Sequence, residues 1–481
     1  MSEIRKAVLF SVLNQYSLQV IGFISVAVLA RLLTPEQIGL FSVATAIAFL
    51  AIEIRSFGVS EFLVREKTVD RQQIMSVLGV MIIMSWGLAF ILIGAAGWIA
   101  DFYGEPDLRN VLWIITLPFF LAPYSSVPVA LLAREMKFDT ILKIDLFGAV
   151  VRNLVSISLV LLDYGYYGLA YGALAGVVAE FLANTYYRPA NVPWLPSFRN
   201  LRPVFRSGAQ IGVSNLLESL SQNANDLVLG RLASMKDVGF FSRGMGLVLF
   251  LHNSLIQAVG PVALPHLAQV RRAGGSVQDA YLNAIVLVGA FTLPVFAVVN
   301  LAAQPMIRAL FGDQWAVSVQ VASVLALWEM LRSVHCFATP ALLTVGKERL
   351  VLIKELVSFT TKIVAIVLMV PHGLVAVAWG LVCAGALDFL LVTLLVKVAL
   401  DVSPIRLLQV FLPNLLLAAA CWAVLKVMTL LIDFEQMNPW LALLIIGSAM
   451  VPVWLVGLQL GNNRAWPFVR GVMGKLSSFL L

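Results

Sequence analysis

Long apolar segments follow one another along the whole chain, separated by short stretches rich in charge, Pro or Gly. A helix of about 20 apolar residues crosses the hydrocarbon core of a bilayer, so each segment predicts one transmembrane helix. Breaking the chain at the polar stretches predicts about fourteen spans: 7–33, 38–60, 74–100, 108–133, 139–162, 165–187, 208–232, 238–265, 279–303, 317–345, 349–370, 373–396, 406–432 and 439–461. The first is longer and more polar than a signal-peptide core, so we interpret it as a retained membrane helix.

The composition excludes a soluble protein. Hydrophobic residues make up 60% of the chain and charged residues 12%, against about 45–50% and about 25% in soluble domains. The three cysteines, Cys336, Cys383 and Cys421, lie within apolar segments, which favours neither a disulfide framework nor a metal cluster. These features predict an all-α polytopic membrane protein.

The basic residues are distributed unevenly between alternate connections. With the amino terminus inside, the cytoplasmic segments would carry 22 of the 33 Lys and Arg residues, and the opposite side six. Cytoplasmic loops are enriched in positive charge, so this asymmetry predicts that both termini are cytoplasmic. It also explains the net charge of +7 without a nucleic-acid partner.

An internal repeat relates the two halves at an offset of about 200 residues, which drifts to 208–211 downstream. The matching segments are 31–32 with 231–232, 39–42 with 239–242, 102–104 with 310–312, 130–132 with 341–343, and 180–182 with 388–390. Since each half holds six spans, both halves enter the membrane from the same face, which predicts a pseudo-twofold axis along the membrane normal.

The repeat divides the chain into four parts. Residues 1–187 form a six-helix amino-terminal lobe, and the basic, Pro-containing stretch 188–207 is a cytoplasmic linker. Residues 208–400 form the second six-helix lobe, and 401–481 hold two further spans and a short cytoplasmic tail. We expect a cleft between the lobes.

The corner after the first span recurs in the second half. Thr34 and Gln37 have the spacing of a capping box with Pro35 at the first helical position, and Ser234 and Asp237 repeat this pattern. Two helices are therefore predicted to begin alike.

An arginine precedes each of these corners, Arg31 in the first half and Arg231 in the second. Both interfacial snorkelling and a role in substrate passage fit this position.

The seventh span carries a polar face. Glu218, Ser221, Gln222, Asn225 and Asp226 recur at helical spacing. Because a carboxylate facing lipid is costly, this face must contact protein or water.

The first span shows a weaker polar stripe, which includes Asn14 and Gln15. Hydrogen bonding between helices is the simpler explanation for amide residues, and a polar surface facing the cleft is the functional one.

Several ionisable residues lie inside the predicted spans. They are Glu53 with Arg55, Arg152, Glu180, Glu329 with Arg332, Lys362 and Asp388. Glu329 and Arg332 have the i,i+3 spacing of a neutral structural pair. Arg152 and Lys362 are equivalent in the repeat, so each half places a cation midway along its fifth span. Glu180 and Asp388, which are also equivalent, would balance these cations.

No pattern in the sequence indicates an enzyme or a cofactor. The four histidines, His252, His266, His335 and His372, are scattered, and no Gly-rich phosphate-binding loop is present. We therefore expect transport driven by an ion gradient or by the gradient of the substrate itself.

Several of these segments resemble the Wzx-type polysaccharide flippases, in the polysaccharide transporter branch of the multidrug/oligosaccharidyl-lipid/polysaccharide superfamily. The resemblance covers the first ~400 residues. The segments that carry it are VLARLLTP at 28–35, IGL at 38–40, FGV at 57–59, Asn225-Asp226 with LGRL at 229–232, and LFGDQW at 310–315.

The resemblance implies two six-helix lobes around a central cavity and alternating access. It implies movement of an undecaprenyl-diphosphate-linked oligosaccharide to the outer leaflet of the bacterial inner membrane, for O-antigen or exopolysaccharide assembly. A polysaccharide polymerase and export machinery are the implied membrane partners.

The resemblance also assigns roles to the polar residues within the spans. The residues expected to bind the diphosphate are Arg31, Arg55, Arg152, Arg231, Arg332 and Lys362. Glu218, Gln222, Asn225 and Asp226 are expected to contact sugar or to carry a coupling proton, and Asn14 and Gln15 are further candidates for substrate binding. The candidates for ion coupling are Glu53, Glu218 and Asp226.

Two other functions are alternatives to the flippase. An ion-coupled drug or organic-cation antiporter of the same superfamily would use the acids Glu53, Glu218 and Asp226. A membrane glycosyltransferase or polymerase would need long outer loops with catalytic acids, whereas the outer loops predicted here are short.

Overall fold

The computed structural model describes residues 3–56, 63, 69–189, 192–199, 216, 219–256, 260–461, 465–467 and 469–471. The described residues form α-helices joined by short connections. The helices are α1 (Glu3–Leu32), α2 (Pro35–Ser56), α3 (Arg71–Tyr103), α4 (Asp107–Thr116), α5 (Pro118–Arg134), α6 (Phe138–Leu161), α7 (Tyr166–Tyr186), α8 (219–232), α9 (Met235–Ile256), α10 (Gly260–Arg272), α11 (Val277–Phe311), α12 (Ala316–Val334), α13 (Ala338–Thr344), α14 (Glu348–Met369), α15 (Leu374–Leu400), α16 (Pro404–Leu431) and α17 (Pro439–Leu460).

The all-α polytopic membrane fold predicted from the sequence is confirmed. Eleven helical segments within the described residues have the length and apolar composition to cross a bilayer. Of the other three predicted spans, 208–232 is described only in part, and 238–265 is described as α9 and α10 on either side of residues 257–259. The third, 349–370, coincides with the more polar helix α14.

Two of the predicted spans are interrupted helices. The span predicted at 108–133 is divided into α4 and α5 at Leu117, because Pro118 lacks the N–H that would continue the helical ladder. The span predicted at 317–345 is divided into α12 and α13 by a turn at 335–337.

The described chain forms two compact units, Met1–Gly239 and Phe240–Leu481. In the first unit, α6 packs along α7 and along α1. In the second, α11 packs against α12 and α16, and α14 against α15. The predicted lobes 1–187 and 208–400, the linker between them and their pseudo-twofold relation stay predictions.

The repeat is visible in the backbone of each unit. Gly104 and Gly312 both follow a long helix with φ of 72° and 100°, and Gly165 and Gly373 both precede the next helix with φ of 53° and 93°. Residues other than Gly rarely adopt such φ angles, so a Gly with positive φ recurs at an offset of 208 residues, although ψ differs within the first pair, 22° at Gly104 and 173° at Gly312.

Both predicted helix caps are formed. The Gln37 backbone N–H donates to Thr34 Oγ1 at 3.3 Å and the Thr34 N–H donates to Gln37 Oε1 at 3.1 Å. In the second corner, the Asp237 N–H donates to Ser234 Oγ at 3.1 Å. The prediction that α2 and α9 begin alike is confirmed.

Part of the predicted linker lies against the first unit. The Ser197 N–H donates to the Met75 carbonyl at 2.8 Å, near the start of α3. The Arg188 guanidinium lies 3.7 Å from the centre of the Trp194 ring and donates to the Pro193 carbonyl at 2.7 Å. Partial burial there lowers the pKa of Arg188. These contacts fix residues 192–199 on the amino-terminal end of α3.

Candidate functional site

Four polar side chains of α1, α6 and α7 come together inside the first unit, and we call them the first-unit polar cluster: Asn14, Asp145, Arg152 and Glu180. Asn14 Nδ2 donates to Asp145 Oδ2 at 2.7 Å. Arg152 Nη2 lies 3.0 Å from Glu180 Oε1. Asp145 and Arg152 are seven residues apart on α6, which places them on one face of the helix two turns apart.

Glycines allow α6 and α7 to approach closely at this cluster. A Cβ atom on Gly148 would lie 2.6 Å from Glu180 Oε1, and one on Gly176 would lie 2.8 Å from the Arg152 Cβ. Gly172 and Gly176 have the spacing of small residues at tight helix contacts in membranes. Because glycine has no side chain, α6 and α7 lie close enough for Arg152 and Glu180 to form their ion pair.

The charges of the cluster are partly accessible. The Arg152 side chain is 46% exposed and the Glu180 side chain 27%. Asp145 interacts electrostatically with both Arg152 and Glu180, so two carboxyl groups lie within electrostatic reach of one guanidinium. An Arg has five N–H donors in a planar fork, and a single ion pair leaves most of them for another anion.

Other predicted cations of the first unit lie against aromatic rings. The Arg55 guanidinium is 5.3 Å from the centre of the Phe119 ring, and its buried Nε has no hydrogen-bond acceptor among the residues that the structure describes. The Arg231 guanidinium is 5.0 Å from the Phe102 ring. Arg31 is exposed at the end of α1.

The described part of the predicted polar stripe on the seventh span lies on α8. Asn225 is buried, and within the described part of the chain its Oδ1 has no hydrogen-bond partner. Asp226 is half-buried, and Gln222 is exposed. Glu218 lies outside the described residues.

Two further predicted residues lie elsewhere in the first unit. Gln15 is exposed on α1, next to Asn14, and Glu53 is half-buried on α2, two residues before Arg55. The structure thus brings Asn14 and Arg152 into one cluster and leaves the roles of the remaining predicted residues as predictions.

In the second unit, Arg332 belongs to a different group. Its Nη1 lies 3.0 Å from Glu329 Oε2, and its guanidinium is 4.6 Å from the centre of the Trp328 ring. The i,i+3 ion pair predicted from the sequence is present. His252 of α9 also contacts Glu329, through Nδ1 and Oε1.

The second cation of the repeat, Lys362, is half-buried on α14. Asp388 of α15 accepts a hydrogen bond from the Ser358 hydroxyl of α14. The acid equivalent to Glu180 thus has a neutral donor in contact with it.

Sequence reasoning missed Asp145 and the contact of His252 with Glu329. The signal for Asp145 was its place two turns before Arg152 on one helix face. A histidine in an apolar segment gave no comparable signal, because its partner lies 77 residues away on another helix.

An apolar cavity of about 600 Å³ lies within the second unit, among α11, α12, α15 and α16. Its walls include Leu293, Met330, Phe389, Leu407 and Phe411. These apolar walls are suited to contact with a hydrocarbon chain.

Comparison with known proteins shows which family this chain belongs to. Residues 28–320 match the family model described as "Polysaccharide biosynthesis protein". The chain is 22% identical over 326 residues to the lipopolysaccharide biosynthesis protein WzxC of Escherichia coli K12, an alignment that covers 65% of this chain and 64% of WzxC. It therefore spans slightly less than two thirds of the length of that relative.

Two solved structures share the fold. A structure of the lipid II flippase MurJ in an inward closed conformation superposes with a TM-score of 0.77 at 14% identity, over 97% of this chain and 100% of MurJ. An inward-facing multidrug resistance MATE transporter of the MOP superfamily superposes with a TM-score of 0.64 at 15% identity, over 80% of this chain and 96% of that one. The resemblance seen in the sequence is confirmed, and the chain belongs to the polysaccharide biosynthesis protein family.

Proposed function

We propose that the protein is a flippase that moves undecaprenyl-diphosphate-linked oligosaccharide repeat units from the cytoplasmic to the periplasmic leaflet for surface polysaccharide assembly. The observation that carries this proposal is the match of residues 28–320 to a polysaccharide biosynthesis family, in a chain with the fold of a lipid flippase. Alternating access would arise from movement of the two six-helix lobes about the cleft between them.

The first-unit polar cluster has the chemistry that a diphosphate-linked sugar requires. The fork of Arg152 donors suits phosphate oxygens, which Arg binds in bidentate fashion. Asn14 and Asp145 offer an amide and a carboxylate, which can hydrogen-bond sugar hydroxyls. Arg152 would exchange part of its contact with Glu180 for the diphosphate when substrate enters.

The remaining cations would attract the same diphosphate along its path. Arg31, Arg55, Arg231, Arg332 and Lys362 are the candidates, and Gln15, Glu218, Gln222, Asn225 and Asp226 are the candidates for contacts with sugar. The long lipid tail would stay in the bilayer or reach the apolar cavity of the second unit.

We place the protein in the bacterial inner membrane with both termini in the cytoplasm, because positive charge is concentrated in the connections predicted there. A polymerase and the polysaccharide export machinery are the partners that a flippase of this kind would supply.

The alternative function is an ion-coupled antiporter of drugs or organic cations, which the fold shared with a MATE transporter supports. The acids Glu53, Glu218 and Asp226 would then bind the coupling ion. The flippase is the better supported function because the family match and WzxC both concern polysaccharide biosynthesis.

The test is a deletion strain complemented with the wild-type gene. We expect the deletion to lose surface polysaccharide and to accumulate lipid-linked repeat units on the cytoplasmic face, and complementation to restore export. Normal export in the deletion would refute the flippase. Sensitivity to organic cations, measured in the same strains, would rise in the deletion only if the antiporter is correct.

A further inference from the structure

A second cavity of the second unit, of about 300 Å³, lies between α11 and α12. Its polar side chains are Asn300 and Gln304 of α11 and Gln320 and Ser323 of α12, and Val375 near the start of α15 forms part of the wall. All four polar residues lie in the halves of α11 and α12 next to their connection. That connection is one of those with few basic residues, so the cavity lies toward the predicted periplasmic face.

Hydrogen bonds between the helices form the inner end of the cavity. Asn300 Nδ2 donates to the Ser323 carbonyl at 3.0 Å, and the Ser323 hydroxyl donates to the Asn300 carbonyl at 2.5 Å. The Trp422 indole N–H of α16 donates to Asn300 Oδ1 at 3.0 Å. Polar side chains commonly join membrane helices in this way. Helix packing therefore explains the Asn300 amide, whose donor and acceptor both have partners.

Helix packing does not explain the two glutamines. The pairing of Asn300 with Ser323 places Gln304, four residues later, opposite Gln320, three residues earlier on the antiparallel helix. Within the described part of the chain, neither glutamine side chain makes a hydrogen bond. Gln304 is half-buried and Gln320 is exposed. A polar group without a partner beside apolar surroundings costs free energy, so water or a ligand must complete these hydrogen bonds.

The lining of the cavity selects a neutral, hydroxylated ligand. Amides and apolar side chains line it, and no charged side chain does so among the described residues. The next charge along α11, Arg308, is paired with Asp313. A diphosphate or an organic cation would therefore lack a counter-charge in this cavity.

A sugar unit fits the remaining chemistry. A glutamine amide presents a donor and an acceptor together, which matches hydroxyl groups that both donate and accept. Leu301 and Val324 provide apolar walls for the C–H faces of a sugar ring. The volume equals the lower limit of small-molecule pockets, which is about 300 Å³.

We propose that this cavity binds a neutral sugar unit through the side-chain amides of Gln304 and Gln320. None of the residues proposed above for substrate contact lines it. In transport, the cavity holds one sugar of the glycan on the periplasmic side before the glycan is released. This role in transport rests on the proposed function, whereas sugar binding itself does not.

The first experiment measures sugar binding without the lipid-linked substrate. The purified full chain in phosphatidylcholine nanodiscs is mixed with glucose, galactose, mannose or rhamnose, and saturation-transfer difference NMR detects contact with the protein. We expect at least one sugar to receive saturation from the wild type, and about threefold less from Q304M/Q320M, because Met approximates the length of Gln and removes both hydrogen-bonding groups.

Two further variants complete this experiment. Q320M alone changes an exposed position and should lower the transfer by a smaller factor, so the test does not depend on the folding of the double variant. Q409M is the matched control, since Gln409 is exposed on α16 outside the cavity, and it should leave the transfer unchanged. Equal transfer from the wild type, Q320M and the double variant overturns the proposal and identifies a cavity that holds water.

Glycerol distinguishes a sugar from a lipid headgroup, because the headgroup of phosphatidylglycerol carries similar hydroxyl groups. We expect glycerol to receive the same weak saturation from the wild type and from Q304M/Q320M. A glycerol signal that falls in the double variant as much as the sugar signal overturns the assignment to sugar.

The second experiment measures the role in transport in the complemented deletion strain. We expect Q304M/Q320M to lower glycan export about threefold or more at equal membrane levels, and Q409M to leave it unchanged. Unchanged export by a double variant that has lost sugar binding overturns the role in transport. Failure of the proposed function is distinct, because it shows as normal export in the deletion strain itself.

Discussion

The helix pairs α6–α7 and α14–α15 occupy equivalent places in the two repeats but hold their acids differently. In the first unit, Glu180 forms an ion pair with Arg152 at 3.0 Å. In the second, Asp388 accepts a hydrogen bond from the Ser358 hydroxyl. The repeat places an acid and a cation on each pair, and the contact that the acid makes depends on the local packing.

The difference follows from matched changes in side-chain size. Ser358 of α14 lies 210 residues after Gly148 of α6, the same offset that relates Lys362 to Arg152. Gly148 leaves space that the longer Glu180 fills, since a Cβ there would lie 2.6 Å from Glu180 Oε1. Ser358 fills the corresponding space and donates to the shorter Asp388. A carboxylate between two close helices is thus accommodated either by an ion pair or by a hydroxyl.

The largest expected effect concerns the two cations of these pairs. We expect R152A and K362A each to reduce glycan export about tenfold or more, because a hydrogen bond to a charged group contributes about 1.5–3 kcal/mol. The double variant should lose more. Export is measured as surface glycan per amount of protein in the membrane, and R349A, an exposed arginine near the start of α14, is the control. Undiminished export by a well-folded double variant would show that these cations do not bind substrate.

The second prediction concerns variants that give α6 and α7 the side chains found at the equivalent positions of α14 and α15. G148S should destabilise the protein by about 1–3 kcal/mol, as overpacking does, because the new side chain collides with Glu180. Adding E180D should restore at least half of that loss, since the shorter acid makes room for the hydroxyl. The shift in thermal melting of the purified protein measures both variants.

The control for this exchange is G87S, because no atom lies within 4 Å of a Cβ at Gly87. If the stability loss of the G148S/E180D double variant equals the sum of the two single losses, the smaller acid does not compensate for the larger residue at position 148. Effects of independent sites add, whereas effects of coupled sites do not.

A third prediction compares two equivalent glycines. A Cβ on Gly172 would collide with the Ser156 hydroxyl and lie 2.8 Å from the Arg152 carbonyl oxygen, which is backbone. A Cβ on Gly380 would meet the Met369 Cγ at 2.8 Å, a side chain that can move, and would lie 3.2 Å from the Ala365 carbonyl oxygen, a looser backbone contact than the one at Gly172. We expect G172A to cost about 1–3 kcal/mol and G380A less than about 1 kcal/mol. Equal shifts in the melting temperature of G172A and G380A would mean that the α6–α7 and α14–α15 contacts are equally close at these glycines.

The smallest expected effect is that of S358A. Loss of the hydroxyl removes the donor to Asp388, which should cost about 0.5–1.5 kcal/mol. Ser448, whose hydroxyl donates to the Ile445 carbonyl of its own helix α17, provides the matched control S448A. If S358A and S448A lower the melting temperature equally, the Ser358 hydroxyl does not stabilise the Asp388 carboxylate. The two helix pairs would then not differ in what stabilises their acids.

The pairs that the sequence predicted share a helix turn or a repeat position. Thr34 with Gln37, and Glu329 with Arg332, are three residues apart, and helix geometry alone brings such residues together. The proximity of Arg152 to Glu180 was suggested by their equivalents in the second half.

The contacts that the sequence did not predict join distant segments. Asn14 donates to Asp145, which is 131 residues away, and His252 contacts Glu329, which is 77 residues away. Each depends on the rotation of one helix about its axis relative to another, which hydropathy does not encode.

The sequence by itself determined that this is an all-α membrane protein with two matching helix caps, and it indicated the family. These properties follow from the length of apolar segments, the distribution of Lys and Arg, and local capping, all of which act over a few turns. Only the tertiary structure decided which partner each buried charge has. Glycine contacts and helix register set those distances, because a Cβ on Gly148 or Gly176 would collide with Glu180 or Arg152 and keep the two helices apart.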